Sequence, residues 1–154
     1  MGRRGVRRSA ALLLVSGLVA CGESTGPAGE SVEVYQLVEL AGEPLPATIE
    51  EAPGSLRTWV SDVIRIYEDE RWDRVQELRF QPVGGEVQEL NWTSEGTVIR
   101  DGDGALLSYE CNDTGSCVAP DRLRFIPGGA VIERQLGPDS SLVWRYDLAD
   151  LGSK

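Results

Sequence analysis

The sharpest pattern in the chain is an alternation near residue 145: Leu142, Trp144, Tyr146 and Leu148 interleave with Val143, Arg145 and Asp147. A period of two is that of a strand with one face turned inward. The run 121–126 repeats it, with Leu123 and Phe125 opposed to Arg122 and Arg124. Further strand-like runs fall at 32–40, 72–80, 86–92, 97–100, 105–111 and 130–136. Breakers separate them at Pro82-Val83-Gly84-Gly85, Asp101-Gly102-Asp103-Gly104, Pro127-Gly128-Gly129 and Gly137-Pro138-Asp139. Short strands recurring between turn residues predict an all-β sandwich or barrel rather than βαβ units.

One segment admits two readings. Leu56, Trp59, Val60, Val63, Ile64 and Tyr67 fall at the spacing of an amphipathic helix. Yet Val60, Val63, Ile64, Ile66 and Tyr67 are types that prefer strands, and Glu68-Asp69-Glu70-Arg71 can turn the chain into the run that begins at Trp72. The balance favours a strand over 62–67, beside which a short helix over 56–60 still fits.

The beginning of the chain follows a different rule. A cationic stretch (Arg3, Arg4, Arg7, Arg8) leads into apolar residues from Ala10 and then into small residues before Cys21. This is the three-part layout of a signal peptide, and the apolar run is too short to cross about 30 Å of hydrocarbon as a finished helix. Leu18-Val19-Ala20-Cys21 resembles the lipobox of bacterial lipoproteins, in which the cysteine is acylated and becomes the new N-terminus. The resemblance implies removal of residues 1–20 and lipid (palmitate-type chains) on Cys21. Several chains make such attachment stable, where one alone anchors only marginally. Gly22, where sorting to the inner membrane would use Asp, implies the periplasmic side of the outer membrane in a Gram-negative cell. Residues 21–31 are small, polar and aperiodic after the cysteine, as a flexible linker should be, and 32–150 are expected to form one domain.

Charge and cysteine usage refine this picture. Processing would remove four of the fifteen basic residues and none of the twenty-five acidic ones, leaving eleven against twenty-five, a net charge of −14. Nucleic acid is a poor partner at that charge, because phosphate neutralisation needs Lys and Arg. A cationic protein could be steered to it, although solubility alone accounts for an acidic surface. With Cys21 committed to lipid, Cys111 and Cys117 are left as a pair that an oxidising compartment would close. Such a short ring contributes about 2 kcal/mol, and Asn112-Asp113-Thr114-Gly115-Ser116 between them is turn-forming.

Several short elements also resemble a group of uncharacterised bacterial lipoproteins described as lipocalin-like. These are Tyr35-Gln36-Leu37 followed by Gly42-Glu43-Pro44-Leu45-Pro46-Ala47-Thr48, then Asp62-Val63-Ile64-Arg65-Ile66 with Glu68-Asp69-Glu70-Arg71-Trp72, then Glu95-Gly96-Thr97 with Asp103-Gly104-Ala105-Leu106. The resemblance implies a small antiparallel up-and-down β-barrel of about eight strands. It implies no particular ligand. True lipocalins carry a Gly-x-Trp signature that is missing near Tyr35, and Val98 stands where the group has an aromatic. A barrel of this size either fills with side chains or holds one small ligand.

Most chemistries are excluded by absence. The chain has no histidine, so Ser-His-Asp and Cys-His catalysis cannot be assembled within it. Its single lysine, Lys154, makes Schiff-base chemistry a poor fit, and no phosphate loop is present. Two cysteines without histidine do not make a zinc site. Asp101-Gly102-Asp103-Gly104 hints at a calcium loop but lacks the remaining ligands, and a hairpin with Gly at positive φ explains it better. The many carboxylates read as solvated charges on outer faces. Trp59, Trp92, Trp144 and Tyr146 could line a pocket at the barrel mouth or simply pack the core.

The expectation is therefore a non-catalytic, lipid-anchored binding module of the cell envelope, without cofactor or metal, that takes a small apolar ligand. The alternative is an acidic interaction module for a cationic envelope protein such as a lysozyme.

Overall fold

The computed structural model describes residues 31–110, 118–137 and 140–150. Cys21, Cys111, Cys117 and the leader lie outside the described residues. Within them the chain forms ten strands: β1 (Ser31–Leu40), β2 (Glu43–Pro44), β3 (Ala47–Ala52), β4 (Ser55–Tyr67), β5 (Arg71–Gln81), β6 (Gln88–Asp101), β7 (Gly104–Tyr109), β8 (Asp121–Ile126), β9 (Gly129–Gly137) and β10 (Ser140–Leu148). Strands β4 to β10 pair in sequence order, β10 pairs β1, and β1 returns to β4. The result is the closed eight-stranded antiparallel up-and-down barrel expected from the alternation. Closure leaves no free edge along the ring.

Strands β2 and β3 are additional. The first half of β1 pairs the second half of β4, from Ser31 opposite Tyr67 to Gln36 opposite Val63. Beyond that point β1 takes β2 and β4 takes β3, with Ala47 opposite Trp59 and Ala52 opposite Ser55. The barrel seam is thus split at one end and filled by a bent segment, 43–52. Its Pro-Leu-Pro sequence gave no strand signal, and pairing to two different neighbours supplies the hydrogen bonds it uses.

The expected helix over 56–60 is not there: Ser55–Tyr67 is one continuous strand. The reason is a β-bulge. Trp59 pairs Leu78 and Ser61 pairs Glu77, so Val60 is the extra residue. A bulge resets the alternation by one, which leaves both Trp59 and Asp62 buried and inward, followed in step by Ile64 and Ile66. An inward pair three residues apart mimics a helical stripe.

The runs 86–92 and 97–100 are likewise one strand, β6, since Trp92 to Thr97 pair without interruption against β5. Asp101-Gly102-Asp103-Gly104 is the hairpin turn between β6 and β7, with Gly102 at φ +57°. Asp101 and Asp103 there both face Arg122, at 3.0 and 3.8 Å.

The inner faces build two apolar layers. At the end where β1 begins, Ile64, Ile66, Trp72, Val98, Leu107 and Leu123 are almost fully buried, and Tyr35 stacks on Phe125 with ring centroids 6.2 Å apart. Toward the other end lie Leu40, Trp59, Leu78, Leu142 and Trp144. Charged and polar side chains fill the space between these layers.

Candidate functional site

The polar layer begins with residues that period two places on the apolar face. Asp62 follows Trp59 across the bulge, Arg74 lies between Trp72 and Gln76, and Asp121 is in step with Leu123 and Phe125. Expected as solvated charges, these carboxylates are instead enclosed. The Asp62 side chain is 0% exposed, and those of Arg74 and Asp121 are 7% and 6%. Asp73, on the outer face, is also buried and takes Arg65 at 3.2 Å and the Tyr67 hydroxyl at 2.7 Å.

Arg74 is the hub. Its Nε and Nη2 donate to Asp62 at 2.9 and 2.6 Å, its Nη2 to the Tyr146 hydroxyl at 2.7 Å, and its Nη1 to Asp121 at 3.4 Å. The Tyr146 hydroxyl passes its own proton to Asp62 at 3.1 Å, and Gln76 Nε2 donates to the same carboxylate at 2.9 Å. Asp121 also receives the Tyr109 hydroxyl and, at 2.7 Å, Nη2 of Arg134. Two aspartates and two arginines balance one another. Burying ions costs several kcal/mol each unless pairing and hydrogen bonds compensate, and here donors and acceptors interlock through most of the barrel wall.

The ionisation of these groups follows their surroundings. Burial works against the Arg74 charge, but the facing Tyr146 and Asp62 oxygens outweigh it, and the guanidinium pKa lies above its ordinary value. Burial, reinforced by the hydrogen bond to Asp121, pushes the Tyr109 phenol up to about 12. Tyr146 is raised well above the ordinary phenol, chiefly by burial. Both tyrosines are therefore neutral donors at physiological pH.

Above this polar floor, a cleft of about 260 Å³ is lined by Arg57, Trp59, Trp92, Trp144, Tyr109, Asp121 and Arg134 among others. A neighbouring cleft of about 320 Å³ shares Arg57, Trp59, Arg134 and Trp144 and adds Glu50, Glu51, Leu136 and Leu142. Register places both at the end where β4 begins and β5 finishes, away from the entry of β1. Exposed Trp92, Val118 and Leu136 form apolar parts of their rims.

Arg57 and Arg134 organise the wall. The Arg57 guanidinium lies 5.2 Å from the Trp92 ring centroid and 5.8 Å from those of Trp59 and Phe80. Its Nη2 pairs with Glu51 at 3.0 Å. Arg134 lies 5.5 Å from the Trp144 ring. Three donors in this wall are buried without an acceptor from the protein: Arg57 Nε, Trp59 Nε1 and Trp144 Nε1. Leaving such a group unsatisfied costs about 1–3 kcal/mol.

Of the four aromatics singled out from the sequence, Trp59, Trp92 and Trp144 come together on this cleft. Tyr146 is fully buried behind it, in the polar floor. The arginines and aspartates were not foreseen, although the alternation already carried a signal: a charge in step with an apolar face. Among the described residues, no group of three or more His, Cys, Asp or Glu is placed to hold a metal ion.

Comparison of the chain with protein-family models, with curated protein sequences and with solved structures finds no match in any of the three.

Proposed function

We propose that this chain is a non-catalytic binding module, tethered to a membrane surface through lipid on Cys21, that holds one small ligand between Trp59, Trp92 and Trp144. The observation that carries this reading is the pair of indole N–H groups, each on a tryptophan 6% exposed, that border the cleft and meet no protein acceptor. A ligand oxygen would satisfy them while the rings cover its apolar body.

Size and floor narrow the ligand. Drug-sized ligands occupy pockets of about 300–1,000 Å³, and 260 Å³ falls just below that range. The Asp62–Arg74–Asp121 layer blocks the barrel axis with committed polar groups. A long acyl chain has no apolar path past it, so the occupant is compact.

Native purification from the producing cell, followed by mass measurement before and after denaturation, tests this reading. One compact molecule released per chain is expected, with capture little affected by salt. An empty cleft together with a cationic protein captured at low ionic strength and lost at high salt would replace it with an acidic interaction module, for which the net charge of −14 is the motive.

A further inference from the structure

We infer that the ligand of this cleft is an anion with a flat apolar body, such as an aromatic carboxylate, bound by Arg57 Nε and the indole N–H groups of Trp59 and Trp144. The inference rests on the binding-module reading above and adds the charge and shape of the ligand.

All three unpartnered groups are donors, and none of the buried groups without a partner is an acceptor. A cation or a pure donor would leave them as they are, whereas a carboxylate offers two oxygens and about four lone-pair sites. Charge agrees on the inner side. Arg57, Arg74 and Arg134 line the cleft against Asp121 alone, and counting Asp62 beneath Arg74 still leaves one positive charge in excess. Glu51 holds Nη2 of Arg57 from the neighbouring cleft and leaves Nε uncommitted. The protein is acidic overall, so this inward-facing cationic wall runs against its composition. Flatness follows from the tryptophans, whose faces already accept the Arg57 and Arg134 guanidinium groups and suit a planar ring.

The test is calorimetric titration of the described domain in its full chain with three probes that share one ring system: 2-naphthoate, 2-naphthalenemethanol and 2-naphthylmethylammonium. Naphthoate should bind at least about ten-fold more tightly than the alcohol, since a hydrogen bond to a charged group contributes more than one between neutral groups. The ammonium should bind most weakly. W59F and W144F keep a ring and remove the N–H, and each should cut naphthoate affinity by about ten-fold while leaving alcohol affinity nearly unchanged. Near-ultraviolet circular dichroism reports that the variants remain folded, and R57Q provides a third variant that keeps both tryptophans. Equal affinity for naphthoate and the alcohol would overturn the anionic inference and leave the binding module standing. Preference for the ammonium would overturn it in favour of Glu50, Glu51 and Asp121. If none of the three probes bound, the binding-module reading itself would fall.

Discussion

At the scale of single residues, one enclosed guanidinium decides most of the interior. Arg74 is held by Asp62, Asp121 and Tyr146, so removing the nearest carboxylate strands a buried charge. D62N is expected to cost about 3–5 kcal/mol, measured as a shift in the urea midpoint at unchanged slope. Replacing both partners with D62L and R74M together should cost less than D62N alone, because no uncompensated charge remains. Tyr109 gives a second prediction. Its folded pKa of about 12 lies above the unfolded value near 10, so the folded state holds the phenolic proton more tightly. That contribution is complete below pH ~10 and is lost as pH rises from about 10 to 12. Alkaline unfolding of the wild type should therefore show tyrosinate absorbance rising together with loss of fold, and Y109F should soften the pH dependence in that window.

At the scale of elements, two backbone features place the site. The bulge at Val60 turns Trp59 toward the cleft while keeping Asp62 in the floor. Without it, strict alternation would send one of the two outward. Gly96 is the other. A Cβ built there would lie 1.8 Å from the Ser108 carbonyl oxygen and 3.1 Å from Trp72 Nε1, and that indole donates to the same oxygen at 3.1 Å. Backbone cannot yield as a flexible side chain would. G96A should thus part β6 from β7 and cost about 3 kcal/mol, the upper end for overpacking, read as a lowered thermal midpoint. Trp72 meets Tyr109 edge to face at 5.0 Å, so the damage would reach the polar floor through one contact.

At the scale of the whole molecule, the barrel separates its two ends. Strand β1 enters beside the end of β4, while the cleft lies where β4 begins. A tether on the N-terminal side therefore joins the barrel opposite the mouth and leaves the mouth turned away from the surface that holds it. The expected consequence is independence of anchor and binding. C21S should abolish lipid modification and membrane partition, measured by fractionation and intact mass, and leave the affinity of the cleft for its ligand unchanged. Lost affinity in the soluble variant would show that the membrane contributes to the site.

Strand positions, turn residues and the all-β class were determined by the sequence alone, because alternation and Gly, Pro, Asp and Asn preferences act over a few neighbouring residues. The three tryptophans of the cleft were also legible as candidates, being large amphipathic rings in strands. Tertiary structure alone decided the rest. Whether 55–67 was helix or strand depended on a bulge, which is defined only by what lies opposite it. The pairing of 43–52 depended on a split seam between β1 and β4. Asp62 and Asp121 became interior groups because closure brought Arg74 and Arg134 to them from other strands, and a buried charge is stable only where its partner is already in place.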